Sequence, residues 1–129
     1  MKLNSFISIS ALIGLSITQL SFAQEKDYYN LCVAEHPAIN NSVVMMCAEE
    51  AMDEYKKQIE QSLKKIKAQA EQQKQPQRYN DILKAHKAWQ NYVALECKNA
   101  GDYIGSPMYG FCPMKAYQAR ALALKEYIN

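Results

Sequence analysis

The chain has 129 residues, with 15 Lys and Arg against 13 Asp and Glu, a formal charge of +2. That near-balance argues against a protein that holds nucleic acid, or an acidic surface, by overall charge. The length suits one domain, and a core of that size benefits from covalent staples.

The first segment, Met1 to Ala23, reads as a secretory signal peptide. Lys2 supplies a short positive region, Phe6 to Leu20 an apolar run, and Ser21 and Ala23 the small residues before a cleavage site at Gln24. The run is short for a bilayer span and is interrupted by Ser and Thr, so no stable membrane insertion is expected after cleavage. Residues 24–129 are then the folded domain, expected outside the cytoplasm, in the periplasm or secreted. All four cysteines lie in that part: Cys32, Cys47, Cys97 and Cys112. An even count in an exported chain implies two disulfides. A metal centre is not expected, because His36 and His86 are isolated in the sequence and the cysteines are far apart. No cofactor motif is present.

Residues 24–36 carry Tyr28, Leu31, Cys32 and Glu35 at helical spacing, and Pro37 ends that helix. The breaker-rich stretch His36 to Ser42 follows, with Asn41 or Ser42 as a cap for the next helix. That helix is predicted over residues 43–73, on an apolar stripe of Met45, Met52, Tyr55, Ile59, Leu63, Ile66 and Ala70. Glu49, Glu50, Asp53 and Glu54 lie toward its start and Lys56, Lys57, Lys64, Lys65 and Lys67 toward its end, a polarity that suits the helix dipole. A polar break at Gln72 to Gln77 separates it from a second long helix over 77–99. Tyr79, Ile82, Leu83, His86, Trp89, Tyr92, Val93 and Glu96 mark its broad face. Two long helices joined by a short break predict an antiparallel hairpin.

Residues 98–112 contain Gly101, Gly105, Pro107 and Gly110, and read as an irregular loop. A last helix is predicted from Pro113 to Tyr127, with Pro113 in its first turn and Met114, Tyr117, Ala121, Leu124 and Ile128 inward. The fold class is thus all-α: a small disulfide-stapled domain built on a long antiparallel hairpin, with short N- and C-terminal helices.

Cys32 and Cys47 are symmetric about the first turn, and Cys97 and Cys112 bracket the glycine-rich loop in the same way. The expected pairing is therefore Cys32–Cys47 with Cys97–Cys112. Its rival is Cys47–Cys97 with Cys32–Cys112, since the hairpin also brings residues 47 and 97 roughly level.

No nucleophile–base pair or carboxylate dyad stands out, and the protein reads as a non-enzyme. His86 on an inward face suits a packed or capping role. Glu96 is placed to pair with Arg120 across the helices, and Trp89 and Tyr92 suit the core. The loop is the candidate partner-binding element. It concentrates Tyr103, Ile104, Met108, Tyr109 and Phe111, and a loop pinned by a disulfide loses little entropy on binding.

The run from Leu83 to Cys97, with Ala85-His86-Lys87-Ala88-Trp89, Tyr92 and Glu96-Cys97, resembles the signature of the LprI-type lysozyme inhibitor domain family. Cys32, Met46-Cys47, Gly105-Ser106, Cys112 and Tyr117-x-x-Arg120 extend the likeness across residues 30–127. His86 stands where the family usually has Gln, Val93 where it has Arg, and Tyr117 where it has Thr. The resemblance implies a structural role for Trp89, Tyr92, Glu96 and Arg120, and a protein partner of the lysozyme or muramidase type. To plug a cleft flanked by two carboxyl groups, an inhibitor needs a rigid protrusion carrying hydrogen-bond donors. Tyr103, Ser106, Met108 and Tyr109 are the candidates, with Lys98 adjacent. The rival readings are an immunity protein against a cell-wall-degrading toxin and a non-inhibitory envelope adaptor.

Overall fold

The computed structural model describes residues 26–128, and the signal-peptide expectation over residues 1–23 lies outside them. Four helices follow in order: α1 (Tyr28–Ala34), α2 (Asn41–Gln72), α3 (Pro76–Tyr103) and α4 (Met108–Lys125). No strand occurs among the described residues. Two disulfides, Cys32–Cys47 and Cys97–Cys112, each close a separation of 15 residues.

Each helix boundary has a local cause. The Asp27 carboxylate accepts from the Asn30 amide at 3.0 Å and starts α1. Asn40 does the same for α2, accepting from the Val43 amide at 3.0 Å, so the cap lies just upstream of the expected Asn41 or Ser42. α2 ends in a Schellman turn: the Gln75 amide donates to the Ala70 carbonyl at 2.7 Å and the Lys74 amide to that of Glu71 at 3.1 Å. Lys74 occupies the left-handed position of that turn, at φ 56°. Pro76 then opens α3, where its missing N–H is no loss.

α2 runs out, α3 returns and α4 runs out again. Arg78 at the start of α3 donates to the Tyr127 carbonyl at 2.6 Å, which fixes the far end of α4. Gly110 near the start of α4 lies against Met45 and Ala48, near the start of α2. α4 is therefore parallel to α2 and antiparallel to α3. The α2–α4 contact is the most extensive in the molecule, and α3 touches both. The core consists of Ala48, Ala51, Tyr55, Ile59, Ile66, Ile82, Met114, Ala121 and Leu124. Fully burying a side chain such as Ile66, Met114 or Leu124 contributes about 1.5–3 kcal/mol each. α1 has no fully buried residue and lies against α2, with the Tyr28 ring edge-on to Tyr55 and that of Tyr29 edge-on to Phe111.

The expected loop over residues 98–112 is largely helix. α3 continues through Gly101 to Tyr103, and α4 begins at Met108, leaving only residues 104–107 between them. Gly101 and Gly110 are points of close approach and not breaks. A Cβ on Gly101 would stand 2.2 Å from the Tyr109 ring, and one on Gly110 2.9 Å from Met45 Sδ. Pro113, expected in a first turn, sits inside α4. It cannot donate to the Tyr109 carbonyl, so the helix carries one missing bond there.

Candidate functional site

The corner between α3 and α4 forms one apex of the bundle. Cys97–Cys112 ties the two helices below it, with Cα atoms 5.4 Å apart. Above the staple, the Tyr109 ring packs on Gly101, and its hydroxyl donates to the Asp102 carboxylate. Lys98 pairs with the other Asp102 oxygen. Hydrogen bonds from Lys98 and then Tyr109 hold the Asp102 carboxyl below the usual carboxylate range. The same contacts push up Lys98 and Tyr109, so both keep their protons. Gly105 takes φ 154°, a backbone setting open to glycine, and turns the chain into α4.

Of the four candidate loop residues, Tyr103 and Ser106 are exposed, with Tyr103 84 % exposed. Met108 is half-buried in the first turn of α4. Tyr109 is braced within the corner, 48 % exposed. Ile104, at 75 % exposed, joins Tyr103 at the tip. Asp102 was absent from the sequence-derived candidates. Its place one turn after Lys98 on a helix was the available signal, hidden by reading this stretch as loop.

A second cluster joins α3 to α4 in the body of the bundle. His86 is buried and stacks on Trp89 with ring centroids 5.4 Å apart, and Trp89 meets Tyr117 edge-on at 5.0 Å. The Arg120 guanidinium lies over Trp89 at 5.7 Å, and its Nε approaches His86 Nδ1 at 3.5 Å. Burial, and then the Arg120 charge, lower the His86 pKa, so the imidazole is neutral and can accept from Arg120. A cavity of about 220 Å³ opens beside it between Ile59, Leu63, Gln90 and Tyr117.

Three expectations are corrected here. Arg120 does not pair with Glu96: it turns to His86 and Trp89, and Glu96 is exposed. Tyr92 is not core but 61 % exposed, because Val93 takes the inward position beside it. The acids of α2 do not serve the helix dipole, since none lies in the first turn, where that effect is concentrated. Glu50, Asp53 and Glu54 instead line a groove of about 430 Å³ against Glu35, Lys26 and Tyr28 of the α1 side. Asp53 and Glu54 also pair with Lys56 and Lys57 at 3.3 and 2.6 Å.

His36 lies with Cys32 and Cys47 so that the possible donor atoms fall within 4.8 Å of one another. Both sulfurs are joined in the disulfide, which removes the thiolates a metal ion would need. Among the described residues, no helix is long and apolar enough to cross a membrane.

No curated protein and no solved structure matches the chain. The sequence model of the family described as "Lysozyme inhibitor LprI" matches residues 28–124, from the first residue of α1 to the last turn of α4. The match takes in both disulfides, the His86–Trp89–Arg120 cluster and the apex. The chain belongs to the LprI lysozyme inhibitor family.

Proposed function

We propose that the protein is an exported inhibitor of lysozyme-type muramidases, and that the apex between α3 and α4 is the part that enters the enzyme's cleft. The observation that carries this reading is the construction of the apex. Two exposed apolar side chains, Tyr103 and Ile104, stand on a short turn braced by the Cys97–Cys112 disulfide, the Gly101–Tyr109 contact and the Lys98–Asp102–Tyr109 hydrogen bonds. A turn held in this way has little freedom left to lose on binding. Tyr103 supplies an aromatic anchor with a hydroxyl, and Ser106 a second donor, for a cleft whose two carboxyl groups flank the scissile bond. Export rests on the N-terminal segment, with residues 1–23 as signal peptide and 24–129 as the domain.

The test is inhibition of a panel of muramidases by the oxidised protein. Tyr103→Ala and Ser106→Ala are expected to weaken inhibition about tenfold each, with unchanged helicity. Tyr109→Phe removes the brace to Asp102 and should weaken it less. A chain with residues 103–106 replaced and both disulfides intact that inhibits as well as the parent would refute the apex as the contact. N-terminal sequencing of the exported protein checks the cleavage before Gln24.

A further inference from the structure

His86 has two ring nitrogens, and the fold uses one of them. The residue is 6 % exposed, its ring stacks on Trp89, and its Nδ1 accepts from Arg120 Nε at 3.5 Å. A neutral imidazole whose Nδ1 accepts carries its proton on Nε2. Among the described residues nothing accepts from that Nε2. A donor held inside a protein in this state is costly unless something accepts from it. The uncovered part of the ring opens into the cavity of about 220 Å³ between α2, α3 and α4. Ile59 and Leu63 form its floor, Tyr117 closes the α4 side, and the exposed Glu60 and Gln90 stand at its mouth. A water's share of liquid volume is about 30 Å³, so the space takes several waters, and the apolar floor offers them no partner.

We propose that this cavity is a binding site for one N-acetylated sugar unit, seated by its acetamido group. The carbonyl of that group accepts from His86 Nε2–H, its N–H donates to the Glu60 carboxylate, and its methyl lies on Ile59 and Leu63. The Gln90 amide, which both donates and accepts, meets the ring hydroxyls at the mouth. Other ligand chemistries match the lining less well. A carboxylate would meet Glu60 on entry, and the one ammonium that lines the cavity, that of Lys56, is taken by Asp53 at 3.3 Å and lies over the Tyr117 ring at 5.7 Å. A cation would find a donor at His86 Nε2 where it needs an acceptor. A hydrocarbon would leave that donor unsatisfied. The volume is smaller than that of drug-sized pockets, which limits the occupant to about one ring and its substituent. His86 lies about 26 Å along α3 from Tyr103 at 1.5 Å per residue, so an occupied cavity leaves the apex uncovered. Sugar binding in the body of the bundle therefore needs no muramidase.

NMR titration of the oxidised, isotope-labelled protein tests this, with N-acetylglucosamine, glucose and an N-acetylated dipeptide amide as probes. N-acetylglucosamine should shift the His86 imidazole, Leu63 and Gln90 signals and saturate in the millimolar range, as suits a single ring in an open cavity. The imidazole nitrogen shifts should report the Nε2–H form. Glucose, which lacks the acetamido group, should bind about tenfold more weakly or worse. Glu60→Ala should weaken binding several-fold, and Glu60→Gln, which keeps an accepting oxygen, should not. Glu60 is exposed, so neither change disturbs the bundle. His86→Phe keeps a ring on Trp89 but removes the donor, and should weaken binding about tenfold. If that variant fails to fold, the two Glu60 variants and the glucose comparison decide. The absence of a saturable shift with N-acetylglucosamine overturns the proposal, as does equal binding of glucose, or a proton found on Nδ1. Tighter binding of the dipeptide amide would assign the acetamido pocket to peptides and overturn the sugar. Muramidase activity enters none of these readouts, and failure of the apex reading is seen separately, in Tyr103→Ala and Ser106→Ala.

Discussion

The two stapled corners of the molecule share a cysteine spacing and little else. Cys32–Cys47 and Cys97–Cys112 each span 15 residues, and their Cα atoms lie 5.5 and 5.4 Å apart. At the first corner the chain leaves helix from Glu35 to Asn40, and the Asn40 side chain caps the helix that follows. At the second only residues 104–107 leave helix, no side chain caps either flank, and the corner is closed by Tyr109 on Gly101 and Gly110 on α2. The first corner attaches a short helix with no buried residue, whereas the second joins two helices of the core. Equal loop lengths therefore do not mean equal work: a staple matters to the extent that what it joins is already committed to the core.

The sharpest way to break that comparison is to remove each staple in turn. In the chain-entropy view a loop of about 15 residues contributes about 3 kcal/mol, the same for both. Cys97→Ala with Cys112→Ala should lose about that much of global stability in denaturant unfolding, because α3 and α4 must separate when the bundle unfolds. Cys32→Ala with Cys47→Ala should lose less globally. Its effect should be local, because a free seven-residue helix is too short to persist in water. Rapid amide exchange across α1, with slow exchange kept in α2 and α4, is the expected signature. Equal global losses with α1 still protected would mean that α1 is as much part of the core as α4.

The corners also mark where sequence reasoning succeeds and where it fails. Helical period identifies the inward stripe of α2, since Tyr55, Ile59, Ile66 and Ala70 are buried there. Cysteine spacing identifies both fold-backs, because a disulfide needs only that two helix ends come level. The glycines mislead. At Gly101 and Gly110 the missing side chain makes room for Tyr109 and Met45, a purpose visible only once another helix is in place. Tyr92 misleads for a related reason. α3 carries two apolar stripes, and which of them faces the core is decided by α2 and α4, not by α3 itself. Glu96 and Arg120 were at plausible spacing for a pair, but the planar guanidinium is taken by Trp89 and His86.

A finer test exchanges the closing devices while leaving the staples alone. Asn40→Ala removes the side-chain acceptor from the Val43 amide and should cost about 1 kcal/mol, read as a fall in unfolding midpoint. Gly101→Ala acts through two opposed effects. Ala is the better helix former by about 1 kcal/mol, but its Cβ would drive the Tyr109 ring off the helix and break the contact with Asp102. The ring is half-exposed and can swing out, so net stability should change by less than about 1 kcal/mol while inhibition falls. A Gly101→Ala chain that unfolds like the Asn40→Ala chain and still inhibits would erase the distinction between a corner that builds the fold and one that presents a surface.

The smallest expected effect comes from acidification, and it belongs to neither corner. His86 is held neutral in the folded protein by burial and by Arg120, while in the unfolded chain it takes up a proton near its ordinary value of 6.5. Below that pH the unfolded state therefore binds more protons than the folded one, and stability must fall as pH falls. The loss begins as pH drops through 6.5 and stops once the folded-state imidazole is itself protonated. His86→Gln keeps an acceptor for Arg120 but cannot titrate, so its stability should be flat through the window where the parent declines. The substitution also loses the stacking on Trp89, a cost that is independent of pH and shifts the whole curve without changing its slope. Because His86 lies between α3 and α4 in the body of the bundle, acid should weaken protection in those two helices before that of α1. A decline that begins instead with α1 and the first corner, and survives His86→Gln, would place the acid-sensitive group on the α1–α2 side of the molecule.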